Sequence, residues 1–408
     1  MAEPDVVGEY IGLGLGLGRH IDGMVDAYYG PPALADAVAA EPIEEPRRLV
    51  VRCRALLAAI DSDAPFDAGS PGERGTEGTP SRRSWLRAQT LGLLTTARKL
   101  AGDPVSYADE VESCYGVRPT RVPEDVLVDA HRRLGEVLPG SGPLAERLVA
   151  WREAHAVPVD KLRPAIDSLA EDLRARARAL FGLPDGEHVE FELVTDQPWS
   201  GFNYYLGGLQ SRVAVNTDLP VLSTGLAHLV AHEAYPGHHT EHTRKEVGLV
   251  RQRHWVEESI FLVGTPQCLL AEGLADLGLE VVMGRRPEPV IAEHFGPLGI
   301  RYDQEVVAAV AEAGEALSAV RQNAAFRLHE DGADPEVVTA EVARWGLLPW
   351  DRASKQVEFL THPTWRAYLT CYIEGLPLCR AFVGGDPARF DRLLSEQLTP
   401  AYLLEHMA

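Results

Sequence analysis

Long apolar runs are missing from this 408-residue chain. No stretch approaches the ~20 residues that a spanning helix needs, which excludes an integral helical membrane protein. Positive charge is also scarce: 39 Lys and Arg stand against 60 Asp and Glu, a formal net charge of −21. Such a balance favours solubility and argues against nucleic acid or an anionic membrane as partner. The five cysteines (Cys53, Cys114, Cys268, Cys371 and Cys379) are odd in number, scattered, and include no C-x-x-C pair. A disulfide framework is therefore not expected, and a reducing cytoplasm is the expected location. The start, Met-Ala-Glu-Pro-Asp, lacks the basic region of a signal peptide. No G-x-x-x-x-G-K-[ST] loop and no G-x-S-x-G elbow occurs, which leaves P-loop chemistry and a serine-hydrolase nucleophile without support. What is present in quantity is apolar residue content, 45%, ordinary for a chain with a sizeable core.

Helical periodicity dominates the chain. Gly12, Gly14, Gly16 and Gly18 alternate with leucines, but the spacing misses G-x-G-x-x-G and no strand precedes it. It reads instead as a close-packed helix continuing through His20, Ile21, Met24 and Val25. Glu45 to Ile60 carries Leu49, Val50, Cys53, Leu56 and Leu57 on one stripe. Asp61 to Ser81 is rich in Gly and Pro and reads as a long flexible surface loop. Further helices are expected at about 82–101, 105–115, 123–137, 143–154 and 159–181. At Glu187 the period changes. His188–Val194 and Gln210–Asn216 alternate, Gly201–Tyr205 is aromatic-rich, and three short strands in a small antiparallel sheet follow from this. From Leu222 onwards the pattern is helical again, with Gly284 to Gly299 as an interruption and Trp255 to Met283 as a long helix.

Four of the 14 histidines, His232, His238, His239 and His242, fall within eleven positions, and His228 lies four before His232. Imidazole nitrogens bind zinc, and a Glu directly after the first ligand, here Glu233, is placed to take a proton from an attacking water. The spacing departs from H-E-x-x-H, because His232 and His238 are six apart with Pro236 and Gly237 between them. Six residues of ideal helix turn through about 240°, so the rings face apart unless the Pro kink brings them together. His228/His232 and His238/His242 are uninterrupted i, i+4 pairs that compete for the role, and His239 lies about 10 Å up a straight helix from His232. A carboxylate should complete the set. Glu257, Glu258, Glu272, Asp276 and Glu280 are available. Glu272 lies in an apolar stretch, where a carboxylate is costly unless paired or metal-bound. Glu257 and Glu258 sit nearer a polar edge and read as solvated, and Asp276 is placed to orient a ligand histidine.

In these residues the chain resembles the bacterial domain-of-unknown-function 885 family, whose members look like helical zinc peptidases. His232, Glu233, Pro236, Gly237 and His238 match its H-E-x-x-P-G-H signature, and Glu272, Gly273 and Ala275 its E-G-x-A element. Arg321 and His329 match an R-x7-H element, with Ala325 where the family usually has an acidic residue. Tyr372 and Gly375 match Y-x-x-G, and Val25 to Pro31 matches more faintly. The resemblance spans about residues 190–385 and implies a zinc site of His232, His238 and Glu272.

With zinc there, Glu233 serves as general base, and Tyr372, His329 and Arg321 are candidate donors to a tetrahedral oxyanion. Tyr372 also reads as a core aromatic beside Tyr368, His329 as a helix-end surface residue, and Cys371 and Cys379 as buried small apolar groups. Ser211 to Thr217 could receive an extended peptide as an edge strand. The expectation is a mainly α, multi-helix zincin-like fold with one small antiparallel sheet near the metal. Residues 1–185 form an N-terminal helical region, joined in one unit to a metal-binding catalytic region, 186–408. The expected activity is zinc-dependent hydrolysis of amide bonds in small peptides or peptide-like metabolites. A non-haem Fe(II) enzyme with a two-His, one-carboxylate triad and a non-catalytic metal-binding scaffold are the alternatives.

Overall fold

A computed structural model describes residues 5–62, 80–197, 199–362 and 365–407. In chain order the first elements are α1 (Val6–Gly18), β1 (Val25–Tyr28), α2 (Pro32–Ala40), α3 (Pro46–Asp61), α4 (Arg82–Leu100), α5 (Tyr107–Tyr115), α6 (Glu124–Val137), α7 (Leu144–Ala154) and α8 (Val159–Phe181). Three strands follow, β2 (His188–Val194), β3 (Gly201–Gly207) and β4 (Gln210–Asn216), then α9 (Ser223–Glu233), α10 (His238–Lys245), β5 (Ile260–Leu262) and α11 (Pro266–Met283). The chain continues through α12 (Glu288–Phe295), α13 (Gln304–Gly314), α14 (Ala319–His329), α15 (Pro335–Gly346), α16 (Trp350–Thr361), α17 (Thr370–Val383), α18 (Pro387–Ser395) and α19 (Pro400–Glu405). The protein is mainly helical, with two small sheets among the described residues. Most of the expected Gly- and Pro-rich loop lies outside the described residues.

The helix ends follow from local chemistry. Proline occupies the first turn of α3, α11, α15 and α18, where its missing N–H costs nothing. Ser81 and Ser106 cap α4 and α5 by accepting from Ser84 N and Asp109 N. The glycine alternation in α1 is a packing device at Gly14, where a Cβ would come within 2.8 Å of Leu262 Cδ1.

Several expectations change here. Val25 does not continue the first helix: it opens β1, which pairs antiparallel with β5, a strand inside the segment expected to be one long helix. Both strands are very short, and periodicity cannot separate so few residues from helix. The three-stranded sheet is not wholly antiparallel. Its order is β2-β4-β3, with β2 parallel and β3 antiparallel to β4, because β3 and β4 form the hairpin and β2 adds on the far side. That order makes β4 the central strand, so Ser211 to Thr217 is not an edge, and β2 and β3 are. The expected interruption at Gly284 to Gly299 also contains α12.

The largest hydrophobic cluster joins Leu162, Leu169 and Leu173 of α8 to Val213 of β4, Leu226 of α9, Leu269 of α11 and Phe382 of α17. Core residues thus come from both sides of the 185/186 boundary. A second cluster packs Tyr10, Leu49 and Trp85 of α1, α3 and α4 onto Ile260 and Leu262 of β5. Between the sheets and the C-terminal helices runs α11, buried over nearly its whole circumference, as a helix that is apolar all round must be. Glu272 is an exception on its surface.

Candidate metal centre

The site begins where α9 stops. Tyr235-Pro236 (a cis peptide) and Gly237 separate Glu233 from α10, and Gly237 N donates to Ala231 O at 2.9 Å. The chain passes so close to the end of α9 that a Cβ on Gly237 would stand 1.9 Å from His232 O. Only glycine fits there. This doubling-back places the first residue of α10, His238, beside His232. Their Nε2 atoms are 3.1 Å apart and their rings perpendicular, with centroids 4.6 Å apart. Six residues of spacing thus become a facing pair, which a straight helix forbids.

The carboxylate arrives through a helix crossing. A Cβ on Gly273 would lie 2.4 Å from the backbone of Gly375, so α11 and α17 touch backbone to backbone. Glu272, one residue before that contact, is thereby presented to Tyr368 just ahead of α17 and to the histidine pair. Its Oε1 accepts from Tyr368 OH at 2.8 Å. Its Oε2 lies 3.3 Å from His232 Nε2 and 3.9 Å from His238 Nε2, is buried, and receives no hydrogen bond among the described residues. His232 Nδ1 faces Asp276 Oδ1 at 2.9 Å, which leaves Nε2 free to hold a metal.

These residues suit zinc. Two imidazole nitrogens and a carboxylate oxygen are an ordinary zinc donor set, and on a tetrahedron with bonds of about 2.0–2.2 Å, ligand atoms stand roughly 3.3–3.6 Å apart. The distances of 3.1, 3.3 and 3.9 Å bracket that spacing. The donor-less Glu272 Oε2 is a buried acceptor that needs a partner. His228, His232 and Asp276 make a second, overlapping group, but the side chain of His228 is 47% exposed and its Nε2 is 3.4 Å from Asp276 Oδ1. It reads as a surface partner of Asp276.

Electrostatics within the site are strongly coupled. Burial pulls His232 down, yet Asp276 and Glu272 beside it hold its pKa well above the ordinary value. Burial and the neighbouring His232 charge push His238 down to about 4. Glu233, the last residue of α9, is raised to about 7 by burial, with Glu272 and Asp276 adding to the shift against the attraction of His232. Its main-chain carbonyl accepts from Asn203 Nδ2, and a Cβ on Gly201 would be 3.2 Å from its Oε1. The edge strand β3 therefore backs the Glu233 carboxylate.

Of the remaining sequence candidates, Tyr372 lies in the site: its OH is 2.9 Å from Tyr368 OH, and burial together with Glu272 holds its phenol well above the ordinary pKa. Arg321 on α14 is near enough to Tyr372 and Asp276 to feel their charge, although burial is the stronger influence and lowers its pKa. His329 is not brought to the cluster. Its Nε2 meets Leu360 O at 2.8 Å and its ring stacks on Tyr107 at 5.7 Å; α14 carries it two turns beyond Arg321 and away. His239 and His242 are also engaged elsewhere, the first with Ser211 and Glu187, the second stacked on Tyr205 at 4.7 Å. Glu257 and Glu258 are buried, not solvated, and Glu257 forms a two-point ion pair with Arg82.

Two site residues were not legible from spacing. Tyr368, read only as the packing partner of Tyr372, binds Glu272 directly. Asp26 falls between Val25 and Ala27, where the β1–β5 register shifts, and its carboxyl is raised to about 7 by burial, then by Glu272 and Glu233. A bulge of this kind re-aims a side chain, and nothing in a four-residue strand announces one.

No family model and no curated protein matches the chain. Solved structures do. One is a protein of Colwellia psychrerythraea described as a "putative lipoprotein", 15% identical with a TM-score of 0.52, over 88% of this chain and 65% of that one. Another, from Shewanella oneidensis and described as a "putative lipoprotein of unknown function", is 14% identical with a TM-score of 0.45, over 91% of this chain and 75% of its own. The chain thus spans about 65% of the length of the Colwellia protein, and at this identity the likeness is one of fold. No described helix is long and apolar enough to cross a membrane.

Proposed function

We propose that this protein is a zinc-dependent hydrolase of amide bonds in small peptides or peptide-like metabolites. The observation that carries the reading is the convergence of His232 Nε2, His238 Nε2 and the donor-less Glu272 Oε2 within 3.9 Å of one another, beside a buried Glu233. Held by those three residues, zinc would supply a Lewis acid for the scissile carbonyl and make water a better nucleophile at neutral pH. Glu233 takes a proton from the attacking water and delivers it to the leaving nitrogen. Asp276 fixes the tautomer of His232, and Tyr368 fixes the orientation of Glu272.

Tyr368 has one proton, and it is committed to Glu272; the Tyr372 hydroxyl therefore donates to Tyr368 at rest and must re-aim to donate to an oxyanion. The free edge of β3, adjacent to Glu233, suits an extended peptide laid down as a further strand. Similarity of the H-E-x-x-P-G-H and E-G-x-A elements to the domain-of-unknown-function 885 family supports the same reading.

Elemental analysis of protein purified without added metal should find about one equivalent of zinc per chain, as a single three-ligand site requires. Peptide-library cleavage should stop on chelation and return with zinc. Iron in the site would favour the two-His, one-carboxylate oxygenase chemistry, and failure to take up either metal would sink the reading.

A further inference from the structure

Strand β3 starts at the residue that lies against the Glu233 carboxylate, and its two faces differ. Asn203 and Tyr205 are buried on the face toward α9 and α10, where Asn203 Nδ2 donates to Glu233 O and Tyr205 OH to Glu246. Phe202 and Tyr204 alternate with them and stand on the opposite face. Both are only half-buried, and Leu206 beyond them is 64% exposed. The two rings pack with centroids 4.6 Å apart, and Trp199, just ahead of the strand, stands 5.7 Å from Phe202 and 6.4 Å from Tyr204. Arg212 of β4 lies over Tyr204 at 4.4 Å and pairs with Glu192 of β2 at 3.1 Å, so the charge nearest the rings is already answered. Single exposed apolar side chains are ordinary, whereas a contiguous group marks a contact surface.

We infer that Trp199, Phe202 and Tyr204 form a subsite for bulky apolar side chains, so that the hydrolase selects peptides with an aromatic or large aliphatic residue close to the cleaved bond and on one side of it. The inference deepens the hydrolase reading above and rests on it. Backbone geometry brings the peptide to the rings. Asn216 N donates to Ser200 O, and Gly201 to Tyr205 run antiparallel to Val215 to Ser211 of β4. In such a ladder alternate residues bond to the partner strand, so the amide groups of Gly201 and Asn203 turn away from β4. Neither makes a main-chain hydrogen bond elsewhere among the described residues. A peptide laid along that edge sets every second side chain beside Phe202 or Tyr204, at a cross-strand distance of about 4.5–5.5 Å. The residues between face α9, where a Cβ on Gly201 would be 3.2 Å from Glu233 Oε1. Because β3 begins at Gly201 and runs away from it, Phe202 and Tyr204 lie to one side of that carboxylate. The opposite edge strand, β2, carries His188, Glu190 and Glu192 on the same face and offers no such surface.

The test digests a randomised peptide library, blocked at both ends, with the zinc-loaded full chain and reads the products by mass spectrometry. Aromatic and large aliphatic residues should be preferred over Gly, Ser and Asp at least about tenfold in kcat/KM, on one side of the cut only, the worth of partly burying such a side chain. Phe202→Thr and Tyr204→Thr, which keep strand-forming residues, should flatten the preference by raising KM for the apolar substrates alone, and Tyr204→Phe should retain it. A loss shared equally by all substrates, or carried by kcat, would mean that the rings only support β3, and overturns the subsite. Cleavage without side-chain preference by the native enzyme also overturns it and leaves the hydrolase reading standing. If no peptide is cut, the hydrolase reading falls. Calorimetry on metal-free protein then decides the subsite, with a blocked peptide carrying phenylalanine at every second position and its serine counterpart. Binding of the phenylalanine peptide alone, lost in Phe202→Thr, keeps the subsite, and any other result removes it.

Discussion

At residue 233 a carboxylate closes α9, lies buried against β3 and directly follows His232 in the chain. Its expected work is proton transfer, and Glu233→Gln separates that work from structure because it keeps the shape and removes the base. We expect normal folding and zinc content, with hydrolysis reduced by at least about two orders of magnitude. Full activity would discard the general-base mechanism, and loss of zinc would make Glu233 a ligand. The histidines are tested at the same scale. His238→Ala should abolish tight zinc binding, while His228→Ala, which removes an exposed partner of Asp276, should weaken it far less. A competition titration against a chromophoric chelator measures both, and the opposite order would move the metal to the His228, His232 and Asp276 group.

Between elements, backbone proximity decides the geometry. The α11–α17 crossing depends on Gly273 and Gly375, whose backbones leave no room for a methyl group. Gly273→Ala should cost about 1–3 kcal/mol as an overpacked core and should weaken zinc uptake by shifting Glu272. Gly135 lies within α6 with open space around a would-be Cβ. Gly135→Ala should therefore be neutral or stabilising by up to about 1 kcal/mol. Thermal melts of the two variants, with and without zinc, read this contrast directly; equal effects would mean that the close crossing is not needed.

Across the whole molecule, Glu187 ties distant parts together. Just after α8, it receives Arg174 at 2.6 Å, Tyr235 OH at 2.7 Å and His239 at 3.1 Å, so it connects the N-terminal helices to the break that shapes the candidate metal site. Burial opposes its charge, but His239, Tyr235 and Arg174 together bring its pKa down to about 2 from an ordinary 4.5. The unfolded chain therefore takes up a proton before the folded one does as pH falls. The stabilisation is complete above about pH 4.5 and disappears towards pH 2. Glu187→Gln should melt well below the native protein near neutral pH, and the gap should close as the melts are taken to about pH 3. A gap independent of pH would remove the carboxylate charge from this account.

Periodicity and punctuation determined much by themselves. The helices α3 to α8 lie close to where apolar stripes, Pro starts and Gly stops put them, because those signals act over a single turn. The histidine cluster and an acidic residue in an apolar stretch marked Glu272 as a residue needing a partner, since burying an unpaired carboxylate is costly in any fold. What spacing could not decide was which atoms meet. His238 faces His232 only because Gly237 lets the backbone fold onto α9, and Glu272 reaches them only because Gly273 and Gly375 let two helices touch. His329, two turns from Arg321 on the same helix, turned to Leu360 instead. The parallel β2–β4 pairing, the central place of β4, the bulge at Asp26 and the burial of Glu257 against Arg82 are likewise contacts between segments far apart in the chain. Local patterns record which face of an element is apolar; they carry no record of the neighbour that covers it, and the site is made of such neighbours.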